Sequence, residues 1–236
     1  MKNTITIASK EFKSYLTSPM AYVVTGIFLV LTGVFFGISP ATYDETSIRG
    51  FLETGGIILL LLASVLTMRL LAEEKKMGTL ELLLTAPLRY SEVVLGKFLG
   101  SLGILVVMLF LTFYYPVLLF IFGDPDMGPI VTGYLGLFLL GCTTLSVGIF
   151  ASSLTSNQIV SAVVAGGILF ALWFVGVAAS YLPQAAAEVI GFFSLSQYFP
   201  DFMRGIIDTR GIIYYLSITI LFLFLAIRSL ENSRWS

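Results

Sequence analysis

The chain has 236 residues, 57% of them hydrophobic and 11% charged, with a formal net charge of -1. Soluble domains carry about 25% charged residues, so this composition excludes an ordinary soluble domain and points to a polytopic membrane protein with no pull toward nucleic acid. It contains no histidine and one cysteine, Cys142, which excludes an internal disulfide and a cysteine-rich metal site and removes the usual near-neutral proton carrier.

The first predicted element, 4–17, is a helix too polar to be a span. Ile5, Ala8, Phe12, Tyr15 and Leu16 recur at helical spacing on one face, with Lys10, Glu11 and Lys13 off it. Such a helix lies in the membrane interface, its apolar face at the acyl boundary and its lysines near anionic headgroups. Two readings stay open for it: a positional anchor for the first span, or a lever that moves with the long cytoplasmic loop. No small-residue cleavage site follows the first apolar run, so the segment is expected to be retained rather than removed as a signal peptide.

Six stretches have about the 20 apolar residues that a crossing needs: 19–38, 51–71, 98–122, 130–151, 159–182 and 211–227. Ser18 with Pro19 opens the first, because proline is pre-set for the first helical position. Pro116 predicts a kink in the third. The charge-free run 127–187 is too long for one span, and the polar cluster 152–158 divides it into two. Ten Lys and Arg residues fall in the N-terminal segment, the loop after span two and the C-terminal tail, against three on the other side. That bias places both termini and the long loop in the cytoplasm. The six apolar cores carry no charged residue, which counts against a proton-driven carrier.

The long loop, 72–97, is the most informative segment. Thr79 is placed to cap a short helix, with Glu81 in its favourable first turn and Gly78 before it for a sharp turn. Pro87 ends that helix, and Ser91 with Glu92 starts another that runs into span three. Leu80, Leu82, Leu83 and Leu84 are too many for so small a loop to bury internally. They meet lipid, the rest of the chain, or a partner whose groove accepts an amphipathic helix. The pairs Glu73-Glu74 and Lys75-Lys76 are placed to form bridges across such a joint. Spacing alone leaves docking and a flat interfacial hairpin equally open.

The pattern Glu74, Gly78, Thr79, Leu80, Glu81, Leu82, Leu83, Leu84, Thr85 and Pro87 resembles the coupling motif of the ABC-2 type permease family. The order of parts resembles that family as well. Stretches 16–36, 151–164 and 204–230 are most similar to its gliding-motility-associated subgroup. The resemblance implies an all-α, type V exporter-like transmembrane domain: one permease half of an ATP-driven transporter, export being the family norm. It implies that Glu73, Glu74, Gly78, Thr79, Leu80, Glu81, Leu82, Leu83, Leu84 and Pro87 contact a cytosolic ABC ATPase present in two copies. A second permease copy or homologue would complete the unit, and the subgroup implies an accessory membrane subunit. The chain itself needs no cofactor, since no G-x-x-x-x-G-K-[ST] occurs in it and ATP is bound by the partner. The location implied is the bacterial cytoplasmic (inner) membrane. The competing reading is an ATP-independent channel or passive carrier. An intramembrane enzyme is excluded by the lack of histidine, paired intramembrane acids and metal ligands.

Smaller features complete the reading. Gly96, Gly100 and Gly103 permit close helix approach, within the chain or between permeases, and Gly166-Gly167 with Ala162 and Ala165 offers a second such surface. The hydroxyls of 152–158 serve a helix turn or a second ATPase contact. The apolar outer segment 183–208 is expected to dip back toward the membrane, as a gate or a structural cap. Cys142 is expected to be a packing residue.

Overall fold

A computed structural model of the chain describes residues 2–42, 48–79, 88–179, 183 and 190–232, and its regular structure is all helical. The helices are α1 (Lys2–Thr17), α2 (Pro19–Thr42), α3 (Arg49–Thr67), α4 (Ala72–Lys76), α5 (Tyr90–Leu111), α6 (Tyr114–Phe122), α7 (Met127–Leu154), α8 (Gln158–Ala179), α9 (Leu195–Met203) and α10 (Thr209–Asn232). Among the described residues, six stretches are long and apolar enough to cross a membrane, as the sequence predicts: α2, α3 through α4, α5 with α6, α7, α8 and α10.

The bundle is built around α7. Its most apolar window is 83% buried, against 22% for α2 and for α8, so α7 is the axis and those two form the rim. Lipid gives no hydrophobic drive between helices, and close packing through small residues takes its place. Along α7, Gly133 receives Leu52, Gly136 receives Phe202, Gly141 receives Leu105 and Gly148 receives Thr67. The glycines thus seat α3, α5 and α9 in turn. Hydroxyls join the last partner: the Thr143 hydroxyl donates to the Tyr215 carbonyl at 3.1 Å and lies 3.1 Å from the Thr219 hydroxyl of α10.

Pro116 acts as the sequence predicts. It has no N–H and crowds the carbonyl four residues back, which is that of Thr112. The helix breaks there: α5 ends at Leu111 and α6 begins at Tyr114. The Thr112 carbonyl instead accepts from the Tyr115 amide at 3.0 Å and from the Tyr134 hydroxyl at 2.9 Å. The proline therefore links span three to the axis.

At the end of the bundle opposite α4, α9 is inserted between the helices. Leu195, Phe199 and Phe202 are buried, and Phe199 lies against Gly56 of α3 and Gly136 of α7. Gly136 is nine residues into α7, about 13 Å along its axis at 1.5 Å per residue. The helix is closed by Gly205 at φ +88, with the Gly205 amide on the Phe202 carbonyl and the Ile206 amide on the Asp201 carbonyl. This left-handed terminus is the one glycine favours. The described part of 183–208 thus packs back against α3 and α7 through Phe199 and Phe202.

Candidate functional site

The functional segment expected from the sequence begins where α3 ends. Of its residues, Glu73, Glu74, Gly78 and Thr79 are described, whereas Leu80, Glu81, Leu82, Leu83, Leu84 and Pro87 lie outside the described residues. The described part has a definite construction. After Thr67 the chain turns through 68–71 and resumes as α4, with Glu73 and Glu74 in its first turn and Lys75 and Lys76 in its last. That charge order complements the helix dipole. Gly78 follows at φ +68 and supplies the turn expected of it. The Thr79 hydroxyl reaches back to the Glu74 carbonyl at 3.3 Å.

Glu74 and Lys75 are both engaged inside the chain. The Lys97 ammonium donates to Glu74 Oε1 at 2.8 Å and to Glu11 Oε1 at 2.7 Å. Lys97 is 2% exposed, and the two carboxylates are 18% and 15% exposed. One buried lysine of α5 thus joins α1 to α4. Among the described residues, the buried Glu74 Oε2 atom has no hydrogen-bond partner. The Lys75 ammonium donates to the Ser153 carbonyl at the end of α7. The expectation that Glu74 and Lys75 bridge outward is corrected on this point: both charges are turned inward, because α1, α5 and the end of α7 surround α4. Glu73 lines a cleft of about 290 Å³ between α1 and α4, with Lys10, Ser14 and Arg69 among its walls.

The N-terminal helix needs a second correction. The predicted face of Ile5, Ala8, Phe12, Tyr15 and Leu16 is split. Ala8, Phe12 and Tyr15 turn inward, while Ile5 is 65% and Leu16 is 41% exposed. The packed face includes Ile7 and Glu11 instead. Gly96, Gly100 and Gly103 recur along one side of α5 and form a groove, and Ile7, Glu11 and Phe12 lie in it in order. The two helices therefore run side by side in the same direction. Asn3 extends the contact by donating to Glu92 at 3.3 Å. At the other end, the Tyr15 hydroxyl donates to the Leu66 carbonyl at 2.8 Å, and the Arg69 guanidinium covers the Tyr15 ring. A groove made of backbone attracts whichever stripe fits it most closely, and here that stripe contains Glu11, which Lys97 neutralises.

This geometry makes a prediction. A methyl on Gly100 would stand 2.6 Å from Glu11 Cβ and 3.1 Å from the Ala8 carbonyl oxygen. Neither is a flexible side-chain end, so Gly100→Leu is expected to lift α1 from α5. Hydrogen exchange of α1 amides is expected to rise at least about fivefold, since overpacking costs about 1–3 kcal/mol. Unchanged protection across α1 would refute the groove.

The polar cluster 152–158 serves the turn. The Asn157 side chain accepts from the Ile159 amide at 2.9 Å, and Thr155 accepts from the Asn157 amide at 3.1 Å. Gly166 and Gly167 face open space, whereas the α5 glycines are filled from within the chain. Lys97, Glu11 and Ser152 are the site residues that sequence reasoning missed. One signal was present: Lys97 sits beside Gly96 and Gly100, so a lysine borders the stripe along which another helix must approach.

A family model described as "ABC-2 family transporter protein" matches residues 39–206. A protein of Escherichia coli strain K12, described as "Probable multidrug ABC transporter permease YbhS", is 35% identical over 116 residues, or 46% of this chain and 28% of that relative. The protein of the same description from Escherichia coli O157:H7 gives the same figures. The match thus spans less than a third of these curated relatives' length.

Proposed function

The chain belongs to the ABC-2 transporter family, and from that premise we propose that it is a permease subunit of an ATP-driven exporter. Two copies of a cytosolic ABC ATPase drive it through the segment that follows α4. A second permease copy, or a homologue, forms the other half of the path. ATP is bound and hydrolysed outside these residues, consistent with the absence of a phosphate-binding loop from them. The observation that carries the reading is the seating of α4. A five-residue helix cannot hold itself, because helix nucleation is unfavourable. Here it is tied to α1, α5 and α7 at the mouth of the segment with the coupling motif. Such a mounting suits a part that receives force and passes it to spans.

The description of the curated relatives as probable multidrug permeases supports export as the direction. The lysine and arginine distribution supports a bacterial cytoplasmic membrane with both termini inside. The resemblance of 16–36, 151–164 and 204–230 to gliding-motility-associated permeases extends the proposal to an accessory membrane subunit.

The test is affinity purification of the tagged chain in mild detergent, followed by mass spectrometry. A stoichiometric ATPase is expected, and the same eluate reveals any accessory subunit. Glu81→Lys or Leu83→Asp is expected to reduce ATPase recovery at least tenfold while leaving the permease inserted, since burying one leucine is worth about 1.5–3 kcal/mol. A homo-oligomer without ATPase, under conditions that preserve a known ABC complex, would favour an ATP-independent channel.

A further inference from the structure

The break between α3 and α4 leaves backbone groups that need partners. The last carbonyls of one helix and the first amides of the next have no acceptor or donor within their own ladders. A single side chain supplies three of them. The Leu71 and Ala72 amides each donate to the Ser152 hydroxyl at 3.0 Å, and that hydroxyl donates to the Met68 carbonyl at 3.1 Å. A serine hydroxyl offers one proton and two lone pairs, so its capacity is fully used. Ser152 is completely buried in the last turn of α7.

A second tie lies beside it. The Ser153 carbonyl, at the C-terminal end of α7, accepts from the Lys75 ammonium and from the Ser229 hydroxyl of α10 at 3.2 Å. A cation at a helix C-terminus is favoured by the helix dipole. The two helices are also brought together one turn earlier, where Thr67 of α3 packs on Gly148 of α7.

We propose that Ser152 is a positioning residue that splices α4 onto the cytoplasmic end of α7, with Lys75 as the second tie. Force delivered to the coupling segment then enters the axial helix of the bundle as well as α3. Without the splice, residues 68–71 act as a hinge and the motion of α4 is not transmitted to α7. The proposal rests on the ATPase-coupled reading for the origin of the force. The splice itself is a property of the permease alone.

The first measurement uses the permease without its partner. Spin labels are placed at Lys76→Cys and Ser156→Cys in a Cys142→Ala background. Both labelled positions are exposed, and they flank a cleft of about 470 Å³ between α4 and the α7–α8 turn. One narrow distance is expected with Ser152 and Lys75 intact. In Ser152→Ala, which leaves two amides and one carbonyl without that partner, the population at that distance is expected to fall at least about tenfold; the milder Lys75→Met, in which the Ser153 carbonyl keeps the Ser229 hydroxyl, is expected to lower it less. An unchanged distance in both variants overturns the splice.

The second measurement uses the co-purified permease–ATPase complex, with a label at Met127→Cys on the outer end of α7. The label is expected to respond to ATP with vanadate when Ser152 is intact. In Ser152→Ala, ATPase recovery and turnover are expected to persist while the response falls about tenfold. A merely structural role lowers recovery and turnover together with the response. A full response in Ser152→Ala overturns the proposal. Failure to recover any ATPase with the unaltered chain overturns the coupling reading instead, and the first measurement still decides the splice.

Discussion

Lys97→Met is expected to destabilise the detergent-solubilised protein by about 3 kcal/mol, the lower end of the cost of breaking a buried ion pair. The cost arises from what remains. Glu11 and Glu74 would face each other across the vacated ammonium position, largely shielded from water and with like charge. The loss is expected to be local as well as global: α1 and α4 lose their shared tie, so their amides exchange before those of α7. Replacing the whole group, with Lys97→Met, Glu11→Leu and Glu74→Leu together, is expected to recover most of the stability, because apolar residues of similar volume carry no desolvation penalty. Thermal melts of the single and triple variants decide the matter. If the single variant melts like the unaltered protein, the ion pair contributes nothing. If the triple variant melts no higher than the single, the damage comes from lost packing and not from unpaired charge.

The second large effect is expected at Gly148. A methyl group there would stand 2.8 Å from Thr67 Cβ and 3.1 Å from Thr67 Cγ2. The threonine cannot swing clear, since its hydroxyl is held on the Ala63 carbonyl at 2.7 Å and a β-branched side chain in a helix has little χ1 freedom. Helix α3 must therefore move off α7. Gly148→Ala is expected to cost about 2–3 kcal/mol by overpacking, and to displace the Ser152 joint that lies one turn further along. Gly166→Ala is the control. Nothing lies within 4 Å of a Cβ built on Gly166, so that change is expected to leave the melting temperature unaltered or slightly raised, alanine being the better helix former. Equal effects at the two sites would remove the argument from close approach.

The contrast between these two glycines shows where sequence reading stops. Both lie in apolar helices and look alike in the sequence. Only the neighbour differs: Gly148 faces Thr67 of another helix, and Gly166 faces nothing among the described residues. The same limit explains α1. Helical periodicity orders residues around an axis, but it does not say which side another helix will occupy. Ile5 and Leu16 belong to one apolar stripe and Ile7 with Ala8 to an adjacent one. The α5 groove took the second, and it could include Glu11 because Lys97 stood opposite. Glu74 was likewise visible as a charge beside the coupling motif, but its partner lies 23 residues on and faces it only once α5 is folded against α4.

Much of the architecture obeys rules that act within a few residues, and the amino-acid order carried those features unaided. The six apolar stretches follow from the length a bilayer demands. The break ahead of Pro116 follows from a missing N–H and a clash four residues back. The turn at Gly78 follows from its freedom to adopt positive φ. The family likeness was legible for the same reason, as contiguous pattern. The inward pairing of Glu74, the three bonds to Ser152 and the seat of α1 were decided only in the folded chain. Each joins groups at least 23 positions apart, and side-chain chemistry alone does not choose among the many partners available at such separations. Helix packing makes that choice, by bringing glycine faces into contact and carrying distant polar groups within reach of one another.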